Sequence, residues 1–127
     1  MRDYPEIVRQ HLISEGLSNV FRGTEKPSNA YIPDDSIFVA QYGGFQPQSE
    51  FGSTEQIHQI SIQVLVRSNP GEEDTVQTTA NDVYDALRNA SPTGTMVIQP
   101  NSPPLRLSID DSDRYKFSIN CTVSAQE

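Results

Sequence analysis

Tryptophan is absent, methionine occurs twice and cysteine once, at Cys121, in a chain of 127 residues. A lone cysteine closes no intramolecular disulfide and builds no cysteine-based zinc site, so the chemistries that rest on paired thiols are excluded. Positive charge is scarce as well: 9 Lys and Arg face 17 Asp and Glu, a formal net charge of -8. A general grip on nucleic acid is built from basic surface that neutralises phosphates, and this chain has too little of it. Apolar runs are only a handful of residues long, far short of a membrane span. The N-terminus lacks the basic-then-apolar plan of a secretory signal. The expectation is a soluble, intracellular protein with no membrane contact.

What is present is sheet-forming. Ile and Val together number 19 against 6 Leu, and β-branched side chains sit better on a pleated surface than in a helix. The length suits one compact domain, residues 1–127, with no room for a second.

Local patterns give the order of elements. Asp3 stands three residues ahead of Glu6 as in a capping box, Tyr4, Ile7, Val8, His11 and Leu12 recur at helical spacing, and Gly16 follows. A short amphipathic helix is predicted there. Leu17 to Ser36, broken by Gly23, Pro27 and Pro33, reads as loop, with Val20 and Phe21 able to add a short strand. Ile37 to Tyr42 is a strand that stops at Gly43-Gly44. Gly43 to Gln56 reads as a long hairpin loop carrying Phe45 and Phe51, and connections of that length in a compact domain are usually functional or disordered.

His58, Ile60, Ile62, Val64 and Val66 alternate with Gln59, Ser61, Gln63, Leu65 and Arg67, the clearest strand in the chain. Asn69 as cap, Pro70 at the first helical position and Glu72 three residues after the cap predict that a helix starts directly behind it. Val76, Ala80, Val83, Tyr84 and Leu87 form its apolar face. Met96 to Gln99 reads as an edge strand beside prolines. Leu105, Leu107 and Ile109 alternate as Tyr115, Phe117, Ile119, Cys121 and Val123 do, which predicts a hairpin turning at Asp110–Asp113. The fold class is therefore α+β: two layers, a mostly antiparallel or mixed sheet of four or five strands, and two helices packed on one face.

Chemistry is hard to find. No Gly-rich phosphate loop, GxSxG elbow, HExxH or CxxC occurs, so no catalytic residue, cofactor or metal is expected. His11 and His58 read as packed or capping side chains, Cys121 as a small buried hydrophobe, and Asp110, Asp111 and Asp113 as a solvated turn without the spacing of a calcium loop. The unusual feature is the polar face of the sheet, where Gln59, Ser61, Gln63, Ser118, Asn120 and Thr122 are uncharged. It reads either as a plain wet face or as a subunit contact or pore lining that avoids strong charge.

The run QISIQVLVRSNPGEEDTVQTTANDVYDALRN (Gln59 to Asn89) and the ending DDSDRYKFSINCTV (Asp110 to Val123), with the N-terminal helix and strand before them, resemble the tail terminator, or tail completion (minor capsid), proteins of long-tailed bacteriophages. The match is one of pattern and order and contains no catalytic signature. It implies a virion protein, assembled in the host cytoplasm, that forms a homo-oligomeric ring, a hexamer in that family. Such a ring caps the tail tube, stops its polymerisation, meets the head completion or connector protein, and lets DNA through its lumen without specific binding. A closed ring needs two different patches on each subunit. Candidate interface residues are Phe45 and Phe51, because exposed aromatics anchor interfaces, together with Arg67 and Arg114, which either pair with acidic turns or bridge subunits. Rival readings are a head completion or connector subunit, an acidic DNA mimic, and a small hydrolase or transferase using His58 with Cys121 or a carboxylate. Six copies carry about 48 excess negative charges, a field that opposes sticking to DNA.

Overall fold

In the computed structural model the described residues are 3–44, 48–49, 56–93 and 96–126. The chain runs α1 (Tyr4–Ser14), β1 (Val20–Arg22), β2 (Ser36–Gly44), β3 (Gln48–Ser49), β4 (Gln56–Pro70), α2 (Glu73–Leu87), β5 (Met96–Pro100), β6 (Leu105–Arg106) and β7 (Arg114–Gln126).

The first helix starts and stops for local reasons. The Asp3 carboxylate accepts the Glu6 amide at 3.3 Å, one of the orphan donors of a helix N-terminus. At the other end Gly16 takes φ 93°, the Gly16 amide donates to the Ile13 carbonyl at 3.0 Å and the Leu17 amide to the Leu12 carbonyl at 3.1 Å. That paired return is a Schellman motif, and it needs a residue without a Cβ at the left-handed position. Tyr4, Val8 and Leu12 are fully buried, so the stripe seen in the sequence is the one the helix packs.

The sheet is mixed and open. Its path is β1-β2-β4-β7-β5, five positions across, with β3 beside one end of β4 and β6 beside β7. β1 pairs with β2 in parallel; the other pairings are antiparallel. The predicted hairpin loop between Gly43 and Gln56 is sheet over part of its length: β2 runs on to Gly44, and Gln48 and Ser49 pair with Ile57 and Gln56.

Register decides which face is buried. Val39 lies opposite Val64, Val64 opposite Ile119, and Ile98 opposite Val123. These side chains share one face with Ile60, Ile62, Cys121 and Ala125, all buried in one core with Tyr4, Val8 and Leu12 of α1 and Val76, Ala80, Val83 and Leu87 of α2. Both helices therefore cover the same face. Each fully buried aliphatic side chain there stabilises by about 1.5–3 kcal/mol relative to exposure.

Two local expectations give way to longer-range geometry. Asn69-Pro70-Gly71-Glu72 does not open α2. Pro70 still pairs with Arg114 at the end of β4, Gly71 turns at φ 76°, and the Glu72 amide donates to the Asn69 carbonyl at 3.3 Å. Proline then glycine at the centre of four residues is the chemistry of a type II turn, and the helix begins only at Glu73. The second concerns the strand before β7. The hairpin forms, but only Leu105 and Arg106 pair as strand, with Ser118 and Phe117. Leu105 therefore shares the helix-free face with Ser118, and Leu105, Leu107 and Ile109 are exposed; alternation marks two faces without saying which one is covered.

Candidate interface

The helix-free face of the sheet is organised differently at its two ends. At one end the segment between β1 and β2 folds over it and is held down by cations from β4 and β7. Arg67 is the centre. Its side chain is fully buried; Nε donates to the Asp34 carbonyl at 2.8 Å, one terminal nitrogen donates to the Lys26 carbonyl at 2.5 Å and to Glu25 Oε2 at 3.3 Å, and the other to the Pro33 carbonyl at 2.9 Å and to Ser28 Oγ at 3.3 Å. The guanidinium also lies 4.9 Å from the centre of the Phe38 ring, within cation–π range, and Phe21 stacks with Phe38 at 5.9 Å. A buried charge is tolerated only when paired and hydrogen-bonded, and Arg67 is both.

Arg114 and Lys116 close the clamp from β7. Arg114 Nε donates to Asp110 Oδ2 at 2.8 Å, and a terminal nitrogen reaches Ser28 Oγ at 2.9 Å and Asp34 Oδ1 at 3.2 Å. Lys116 Nζ donates to Glu25 Oε1 at 2.9 Å and lies 3.3 Å from Asp110 Oδ2. Burial alone would raise the Asp110 pKa. The Arg114 amide and guanidinium, the Ser112 amide and the Lys116 ammonium outweigh it and hold the carboxyl down to about 2. Asp34 is lowered too, first by the Ser28 hydroxyl it accepts from, against a raising contribution from burial, and further by Arg114.

The clamped segment presents a tip. Asn29 Oδ1 accepts the amides of Tyr31 at 2.7 Å and Ile32 at 3.0 Å, and the Asn29 amide donates to the Ile32 carbonyl at 3.0 Å. Asparagine closing its own turn in this way fixes the backbone locally. On that turn the Tyr31 side chain stands 87% exposed.

Away from the clamp the same face is open and carries no charged side chain among the described residues. Gln59, Ser61 and Gln63 of β4 lie beside Ser124, Thr122 and Asn120 of β7, all half-buried, with Gln99 and exposed Val97 at the β5 edge. Between this face and the clamp, Phe38, Ala40, Gln63, Leu65 and Leu107, with Gly23, Thr24 and Glu25 of the clamped segment, line a groove of about 300 Å³.

Of the candidate residues read from the sequence, Arg67 and Arg114 meet in one intrachain network. Phe45 and Phe51 lie outside the described residues. His11 ties the helices together, its Nε2 lying 2.9 Å from the Ala86 carbonyl, an arrangement in which the ring N–H donates. Cys121 is buried beside the Ile62 carbonyl, and burial pushes its thiol up to about 12. Sequence reasoning missed Tyr31, Glu25, Ser28 and Lys116. The available signal was Arg67 itself, a cation at the end of an otherwise uncharged strand face, with Pro27 and Pro33 bracketing a segment poor in charge.

These features define a two-layer α+β domain whose organised chemistry lies on its surface, in a clamped loop and an uncharged sheet face. The family of bacteriophage tail terminator proteins matches residues 11–127. The chain belongs to that family and is a structural protein of the virion. No curated protein matches it. Among solved structures, a chain from "Virion of native gene transfer agent (GTA) particle" is similar, with 13% sequence identity, a TM-score of 0.59, and coverage of 94% of this chain and 92% of that one. At that identity the likeness is one of fold.

Proposed function

We propose that this chain is the subunit of a closed homo-oligomeric ring, six copies in keeping with the family resemblance, that caps the tail tube, halts its polymerisation and offers the surface on which the head is joined. DNA passes through the lumen without being held. Family membership over residues 11–127 carries the reading. The loop held by Arg67 and by the Asn29 turn supports it, because a subunit that must stop a growing tube gains from contacts fixed before the partner arrives. The Gly43 to Gln56 segment, with Phe45 and Phe51, is the proposed contact with the tube or the head. Arg67 and Arg114 serve the interface indirectly, by holding the loop between β1 and β2.

Negative-stain microscopy of the purified protein, alone and mixed with tail tubes that lack heads, tests this. Rings of constant size on tube ends are expected, together with tubes of uniform length. Binding to filled heads but never to headless tubes would make the chain a connector subunit instead. Deleting residues 45–53 should leave a folded protein whose tails fail to join heads, and normal plaque formation with that deletion would remove the loop from the mechanism.

A further inference from the structure

Identical copies of an acidic chain repel one another, so a ring built from them needs contacts that do not set carboxylate against carboxylate. The usual remedy is a lysine or arginine bridging to an acid on the neighbour. Here the cations are already engaged. Arg9 pairs with Glu6, Arg22 with Asp3 and Arg106 with Glu73; Arg67, Arg114 and Lys116 are in the clamp. Lys26 donates to the Arg22 carbonyl, and Arg88 lies over the Tyr84 ring. Every Lys and Arg among the described residues thus has an intrachain partner. Contact between copies is left to surface without unpaired charge, and interface centres are depleted of charge in general.

The structure supplies two such surfaces, and they differ. One is convex: the tip from Pro27 to Pro33, seven consecutive uncharged residues, stiffened by the Arg67 clamp and the Asn29 turn, with Tyr31 projecting. The other is concave: the groove where the open sheet face meets the clamp, lined by Phe38, Ala40, Leu65 and Leu107, by Gln63, and by Gly23, Thr24 and Glu25 of the clamped segment, the Glu25 carboxylate being already paired with Arg67 and Lys116 of its own chain. Tyr31 is 87% exposed and so does not fill its own chain's groove. A tyrosine carries an apolar body and a hydroxyl that seeks a partner when buried, and a groove lined by Phe38, Leu65 and Leu107 together with the Gln63 amide offers both. A ring requires two unlike patches that meet head to tail.

We infer that the Tyr31 tip of one copy docks in the Gln63–Leu107 groove of the next, its ring against Leu65 and its hydroxyl on the Gln63 amide. This pairing rests on the ring reading above and names the contact that closes it. Arg67 acts here as a positioning residue. It touches no neighbour and sets the angle at which the tip is offered.

The test is the concentration of half-assembly, read by mass photometry and sedimentation velocity, for the full chain alone and on tube ends. Tyr31→Ala and Gln63→Glu should each raise it at least tenfold. Combined, they should raise it by less than the product of the two, as partners in one contact do. Circular dichroism and the urea midpoint of both variants should match the parent, since Tyr31 lies in solvent and Gln63 is half-exposed. Half-assembly within twofold of the parent for either variant overturns the pairing and leaves the ring standing. Intact rings of Tyr31→Ala that no longer cap tubes overturn it too, and assign Tyr31 to the tube. A parent protein that stays monomeric alone and on tube ends overturns the ring and the pairing together.

Discussion

Arg67 is the residue on which the surface architecture turns. Its guanidinium sits over Phe38 and spends its donors on three main-chain carbonyls, Glu25 and Ser28. Removing the guanidinium leaves three main-chain carbonyls without their donor while Glu25 keeps Lys116, and each buried acceptor left unsatisfied costs about 1–3 kcal/mol. Arg67→Ala should therefore consume a large part of a typical domain stability of about 5–15 kcal/mol. Arg67→Lys keeps the charge but has three donors on a flexible stem in place of a planar fork. It should recover part of the loss and remain about 1–3 kcal/mol below the parent, the cost of buried acceptors left unsatisfied. Urea unfolding midpoints measure both, and a lysine variant equal to the parent would show that the fork geometry contributes nothing.

Among the elements, the turn from Asp110 to Arg114 shows how a loop cluster becomes part of the fold. Asp110 Oδ1 accepts the amides of Ser112 and Arg114, both at 3.0 Å, and Oδ2 meets Arg114 and Lys116. The folded pKa of about 2 lies below the ordinary 3.8. The native state thus favours the charged form, and the resulting stability is complete above the ordinary value and lost as pH falls toward 2. Asp34, shifted the same way, adds to the loss over the same direction of pH. In acid titrations of stability, Asp110→Asn should be weaker than the parent at neutral pH and converge on it only as pH falls through about 2; parallel curves would place the acid sensitivity elsewhere. Elements whose signals are local were legible from the sequence: the Asp3 cap, the Gly16 stop, the alternation of β4 and the apolar face of α2. Asn69-Pro70-Gly71 suits a helix start and a Pro-Gly turn equally. The choice is made by partners far along the chain, Arg114 opposite Pro70 and the Asp113 carbonyl that accepts the Gly71 amide. The clamp was illegible for the same reason, since Arg67 meets its acceptors across 33 to 42 residues of chain. Alternation puts Arg67 on the helix-free face, but only the fold shows that a loop covers it there.

For the whole molecule the governing quantity is the net charge of -8. Because the Lys and Arg among the described residues have partners within the chain, the excess is carried by carboxylates such as Asp74, Asp82 and Asp85, which are exposed along α2. They lie on the helical layer, while the open sheet face carries no charged side chain among the described residues. Two consequences oppose each other in the ring. Repulsion among copies resists closure, and the same field keeps DNA from adhering as it passes. Salt separates them. Screening shortens the reach of exposed charges to about 10 Å at 0.1 M and about 30 Å at 0.01 M, so added salt weakens repulsion while leaving apolar, uncharged contacts intact. Ring assembly should therefore strengthen as sodium chloride rises from low to physiological concentration, with half-assembly moving to lower protein concentration. An interface held by ion pairs would do the opposite. Sedimentation velocity across a salt series reads the sign directly, and assembly that weakens with salt would mean that residues outside the described set, Arg2 or Glu50 and Glu55 among them, bridge the copies in place of the uncharged surfaces.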